Sequence, residues 1–340
     1  MIKTFTAYTE EIDDREDAYD EVIRGLDMDG KLLHNTVGII SCYTDFIQEG
    51  TAQYIADKLP FNCIGCSTIS IATTGHMGQL GLGIMVLTSD DCNFTTNVSK
   101  PFSTIEEMRT SIGDLMHKFM IASTFYKPQM LFPLMPFMKD ISAENILEQV
   151  TANVPDIPIF GAVGSAGTVS LDDTCVFYND QVFNDAVAML GFFNNFKPSF
   201  YTISFDELNY IGRQAMVTAS DGVMLKEVND KPVFEYFAEI GAYDGETLLG
   251  GAGGATETTA AIFDLDNGNR LIRAIAPGQT ENTDGILLTG DAPVGAKFTL
   301  ASMSYDDILT STKDVLARMI KDADKTKLNA LAYSCVTRNW

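Results

Sequence analysis

Apolar positions along this chain recur with two different periods, and each change of period marks an element. Residues 10–27 carry Ile12, Ala18, Val22, Ile23 and Leu26 as a broken stripe among charges, a helical spacing that Gly30 ends. Residues 36–42, TVGIISC, form a short β-branched run of the kind found in buried strands. Residues 46–58 fit a second helix despite Gly50, and 61–65, FNCIG, read as the next strand, closing on Gly65. Residues 81–89, GLGIMVLTS, supply a third strand after a polar turn.

The same order then returns. Residues 104–121 have helical periodicity, with Thr104 as N-cap and Glu106 and Glu107 near the positive helix end. A strand over 129–135, a Ser142-capped helix over 142–154 and a strand over 157–161 closing on Gly161 follow. Strands over 174–180 and 185–193 complete the copy. Superposing the copies sets Gly65 against Gly161, each after a strand and before small residues, GCST and GAVGSAG. A repeat of about a hundred residues is too long for a solenoid unit and predicts two βαβ-type lobes. The predicted fold is therefore α/β, with mixed sheets built from duplicated βαβ-type lobes and two domains, 1–205 and 215–340.

Beyond the second copy, 221–241 reads as a hairpin running into a helix that starts at Pro232, and GGAGG at 250–254 as a loop. Strands are predicted at 260–265, 270–276, 285–290 and 297–303, and a helix over 305–323. LNALAYSC, 328–335, resembles TVGIISC and is predicted to be one more strand. An interior strand needs a covering element, so the ending at Trp340 leads us to expect a truncated domain.

Charge narrows the partners. The chain has 46 acidic against 23 basic residues, a net charge of −23, which repels nucleic-acid phosphates and anionic lipid. No apolar run is long enough to span a bilayer, and the first residues lack a signal-peptide pattern, so the expected location is cytoplasmic, with no membrane partner. The six cysteines are scattered through apolar runs, without the spacing of a disulfide framework.

Candidate chemistry gathers at the strand ends, where open α/β sheets hold ligands. Glycine there permits close backbone approach, and small hydroxyls add hydrogen bonds. The candidate ligand-binding set is Cys42, Gly65, Cys66, Ser67, Thr68, Gly161, Gly164 and Ser165, with Thr168 beside it. Cys335 and Arg338 join it from the C-terminal segment, Arg338 as a partner for a ligand carboxylate. The bland alternative is that these glycines only terminate strands. GAVGSAG has neither dinucleotide-fingerprint nor P-loop spacing, which disfavours nucleotide chemistry. Cys63 and Cys66 form a C-x-x-C, but with Cys63 inside a strand and Cys66 just past its end, not at a helix start, and no second pair completes a zinc site. No catalytic motif is legible, so an enzyme is not expected, and a nucleophilic Cys66 is the alternative. His34, His76 and His117 are the only histidines; His76, in a turn, is the candidate axial ligand if the cofactor is haem, the cofactor otherwise being unknown.

These segments together resemble the FIST proteins, which pair N- and C-terminal sensory domains. The N-terminal resemblance runs through GIISCYTDF, CIGCSTIS, IPIFGAVGSAGT and CVFYNDQVFNDAVAMLGFF. The C-terminal one rests on VNDKPVFEYFAEIG, RLIRAIA, DGILLTGDAPVGAKFTLASM and LNALAYSCVTRNW. The resemblance implies a stand-alone sensory protein in signal transduction that binds a small molecule, an amino acid being the leading ligand and haem the alternative. With no output domain fused, it implies signalling through a separate protein. The family's C-terminal domain normally continues past the segment matching SCVTR with a further strand and a glycine–glutamate motif. Their absence reinforces the expectation of an incomplete C-terminal domain.

Overall fold

A computed structural model describes residues 2–122, 127–166, 173–203, 209–246, 248, 257–276, 284–323 and 329–335. The chain divides into two compact units, Met1–Pro198 and Ser199–Trp340.

The first unit opens with β1 (Ile2–Thr9), α1 (Arg15–Leu26), β2 (Asn35–Cys42), α2 (Thr44–Gln48), α3 (Thr51–Lys58) and β3 (Cys63–Ser67). A small hairpin, β4 (Ile71–Thr73) with β5 (His76–Gly78), leads to β6 (Leu82–Ser89). The second copy comprises β7 (Cys92–Val98), α4 (Ile105–Ala122), β8 (Pro128–Met135), α5 (Ala143–Asn153) and β9 (Ala162–Val163). The hairpin β10 (Val176–Tyr178) with β11 (Gln181–Phe183) and the strand β12 (Ala188–Asn194) close it.

Sheet order exposes the duplication. One sheet runs β1-β6-β2-β3 and continues to β10-β11; the other runs β7-β12-β8-β9. In each, the central strand pairs parallel with its successor, β2 with β3 and β8 with β9, and antiparallel with β6 or β12. The expected βαβ lobes are present, and each is larger than expected. β1 and β7 were not expected as strands, yet each pairs along its length at the start of a copy. Thr-rich KTFTAYT pairs as an edge strand through β-branched and aromatic residues of mixed burial, and so lacks a continuous apolar run.

The helices bury their stripes on one face of each sheet. Ala18, Val22 and Leu26 of α1 and Ala52 and Ile55 of α3 pack with Ile40, Ile84 and Val86. Met108, Ile112, Leu115 and Phe119 of α4 pack with Leu131, Met189 and Phe193. Asp14 caps α1 through Glu16 and Asp17 N–H, and Ser142 with Asn145 forms a capping box on α5. The expected helix over 46–58 is two pieces. Gly50, at φ +78°, breaks it between α2 and α3, because a left-handed residue cannot continue a right-handed helix.

The second unit is a seven-stranded sheet, ordered β15 (Lys231–Pro232), β14 (Met224–Val228), β13 (Asn209–Asp221), β19 (Lys297–Ser304), β16 (Glu257–Asp264), β17 (Arg270–Ala274), with β18 (Ile286–Leu287) on β14. The helix α6 (Val233–Glu239) follows Pro232 as expected and sets Phe237 against Phe298, rings 6.0 Å apart. The helix α7 (Tyr305–Asp322) begins at a Ser304–Asp307 capping box. Where a strand was expected over 328–335, residues 329–335 form none and are half-buried to exposed. An apolar run becomes a strand only where a neighbour takes its N–H and C=O groups. The GGAGG loop lies outside the described residues.

Candidate functional site

Ends of parallel strands from both copies meet in the first unit. Thr68 N–H donates to Cys42 O at 2.8 Å, and Gly164 N–H to Met135 O at 2.7 Å, the same bond made once in each lobe. Ser165 N–H then crosses to Ser67 O at 3.0 Å, and Ser67 Oγ accepts from Cys175 N–H at 3.0 Å. Cys42, Cys66, Ser67, Thr68, Gly164 and Ser165 are thus brought together, as a joint between lobes. Their polar groups are spent on one another: the Thr68 hydroxyl donates to Ser70 O, and Ser67 is buried.

Gly65 and Gly161 occupy equivalent places, though not the expected ones. β3 runs two residues past Gly65 to Ser67, whereas β9 begins only after Gly161, and the strand expected over 157–161 appears as a single bridge, Ile159 to Leu131. A Cβ on Gly65 would lie 2.4 Å from Ile40 O and 2.0 Å from the Phe177 ring; one on Gly161 would lie 2.0 Å from Pro133 O. Glycine is needed because the neighbouring strand's carbonyl approaches closely, and Phe177 fills the space over Gly65 that a ligand would need. Cys335 belongs to the second unit and is exposed. Arg338 and Thr168 lie outside the described residues.

None of the six cysteines forms a disulfide, and five are buried. Burial pushes the Cys63 and Cys66 thiols up to about 12, with a Ser41 hydrogen bond only partly offsetting the effect at Cys66. Cys175 rises to about 11, and Cys42 rises through burial and then through the neighbouring Cys175 and Cys66. A thiol held protonated in this way is a poor nucleophile at neutral pH. Cys63 and Cys66 are also three apart on one strand, so they point to opposite faces.

His76 stacks flat on Tyr8, centroids 3.7 Å apart, with Nε2 3.2 Å from Glu10 Oε1. His34 and His117 are exposed. None of the three lines either of the two cavities described in this structure. Among the described residues, no three His, Cys, Asp or Glu side chains gather as a metal site.

A cavity of about 730 Å³ opens in the second unit, lined by none of the expected residues. Phe234 and Tyr243 form its aromatic wall, rings 5.2 Å apart, and Lys226, Glu227, Glu235, Asp244 and Asp284 are its charged lining residues. Lys226 Nζ sits 3.0 Å from Asp284 and 3.7 Å from Asp221, and the hydrogen bond to Asp284 raises its pKa. The turn from β14 through Pro232 into α6 places most of these groups. KEVNDKPVFEYF carries the charges and aromatics, but no spacing in it announces a pocket.

The first unit is a duplicated α/β unit, and the second unit holds a charged cavity. The FIST N domain matches residues 36–231, more than half of the chain, and the chain belongs to the FIST family of sensory domains in signal transduction. The expected C-terminal FIST domain, 215–340, is not covered beyond residue 231. No curated protein matches the chain. Among the described residues, no helix is long and apolar enough to cross a membrane.

Proposed function

We propose that this chain is a non-catalytic sensory protein that binds a small amino acid-type ligand in the cavity of its second unit and signals through a separate protein. Membership in a sensory-domain family supports the role, and the cavity lining supports the ligand class. At about 730 Å³ the cavity is within the range of small-molecule sites. Lys226 suits a ligand carboxylate, the carboxylates around it suit an ammonium, and Phe234 and Tyr243 suit an apolar or cationic side chain. Four carboxylates against one ammonium favour a ligand with net positive charge. The five buried thiols, none in a disulfide, fit a reducing cytoplasm. The net charge of −23 disfavours a nucleic-acid partner.

Calorimetry on the full chain against a panel of amino acids tests this. Arginine and lysine are expected to bind more tightly than glutamate, and Lys226→Ala is expected to weaken binding of every member. A folded sample giving no heat with any amino acid would sink the proposal.

A further inference from the structure

The two lobes differ at one edge. On β3, the outward-facing backbone groups are occupied: Ser67 N–H donates to Cys175 O, and Cys63 O accepts from Asn179 N–H. The hairpin β10-β11 sits there, with Phe177 opposite Gly65. The equivalent edge on β9 is different. Phe160 N–H bonds Leu131 O and Gly164 N–H bonds Met135 O, so the even-numbered residues face β8. In a parallel ladder the residues between them, Gly161 and Val163, turn their N–H and C=O groups outward. No described residue pairs with them, and Val163 is 40% exposed.

The hairpin β4-β5 is the counterpart of β10-β11 in the first copy, and it pairs with no strand but its own partner. Only residues 68–70 separate β3 from β4, whereas residues 164–175 separate β9 from β10. The longer connection lets β10-β11 cross to the other lobe's edge; the shorter one keeps β4-β5 at home, laid over Gly83. Its outer side carries Met77, 73% exposed, opposite Ala72, with Leu80, 61% exposed, beyond. Among the described residues the chain therefore holds an open acceptor edge and an unused hairpin of matching kind.

We propose that β4-β5 docks on the β9 edge of a second copy, giving a two-fold dimer in which each chain offers its hairpin and accepts the other's. Charge favours this partner. Each copy carries −23, so two copies approach most readily where acids are few, and against the hairpin the neighbouring carboxylate is Glu10, held by His76. Residues 59–89 and 157–171 contain no Asp, Glu, Lys or Arg, and these runs hold the hairpin and the edge. Antiparallel strand addition supplies the backbone bonds, and Met77, Leu80 and Val163 supply apolar cover. Because hairpin and edge are different surfaces, reciprocal exchange is what closes the assembly at two copies.

Sedimentation velocity on the full chain tests the dimer. The expected result is a species of twice the monomer mass, favoured by added salt as repulsion between the acidic copies is screened. Met77→Asp places a like charge on the hairpin, and Val163→Pro removes an outward N–H that no bond among the described residues uses; each should halve the mass. Met216→Asp, on an exposed residue of the second unit, should leave the dimer intact. If Val163→Pro fails to fold, Met77→Asp decides alone. A wild-type chain that stays monomeric over the whole concentration range overturns the proposal, as does a dimer that survives Met77→Asp.

Discussion

The two lobes of the first unit share a strand order and differ in what closes them. Both run edge, antiparallel neighbour, centre, parallel neighbour, and both place glycine where the centre strand's carbonyl presses on the next backbone. Lobe one is sealed at β3 by a hairpin from lobe two, while β9 keeps an open outer side among the described residues. Their cores also differ chemically. The position of Cys42, at the end of β2, is held by Met135 at the end of β8; lobe one packs Cys42, Cys63 and Cys175 in its core, while lobe two buries a single thiol, Cys92 on β7, and packs methionines such as Met108, Met116 and Met189. A duplicated backbone plan thus tolerates different side chains so long as the close backbone approaches are kept.

The largest expected effect comes from the seal. Phe177 is 1% exposed, and Phe177→Ala should cost about 3–5 kcal/mol, read from the urea midpoint. A near-neutral result would mean the hairpin does not hold lobe one closed. Next, Gly65→Ala should cost about 3 kcal/mol, because its Cβ meets Ile40 O on one side and the Phe177 ring on the other. Gly161→Ala should cost less, about 1 kcal/mol, because the open edge lets β9 shift away from Pro133. Equal losses would show that β9 is as confined as β3. Removing the joint's hydroxyl by Ser67→Ala leaves Cys175 N–H buried without its acceptor, for about 2 kcal/mol, measurable by the same unfolding curves.

The chemical difference between the cores predicts a difference with pH. Folding raises the Cys63 and Cys66 thiols from 9.0 to about 12, so the unfolded chain loses these protons first as pH rises. The stabilisation they provide is whole below about pH 9 and is lost as pH climbs toward 12, by up to about 1.4 kcal/mol per pH unit per thiol. Hydrogen exchange at rising alkalinity should therefore release lobe one before lobe two; simultaneous release would break the contrast.

The alternation of apolar runs by itself determined the α/β class, the two βαβ lobes and the pairing of Gly65 with Gly161. Each of these rests on local periodicity or on a repeat visible in the chain. It also placed α4, α5, α6 and α7 within a residue or two, because each has a stripe, a cap or a proline at its start. Tertiary structure alone decided what those elements touch. The strand end read as a candidate ligand site also forms a joint between the lobes, because Ser67 and Thr68 meet carbonyls and amides from segments distant in sequence. The edge strands β1 and β7 appeared only once β6 and β12 were there to pair with them. LNALAYSC, so like TVGIISC in composition, forms no strand over its described residues, and the cavity around Lys226 lies where no motif pointed. Periodicity records which face a residue turns inward. It does not record which distant backbone or charge arrives at that face, and those arrivals decide whether a glycine is a floor, a joint or an open edge.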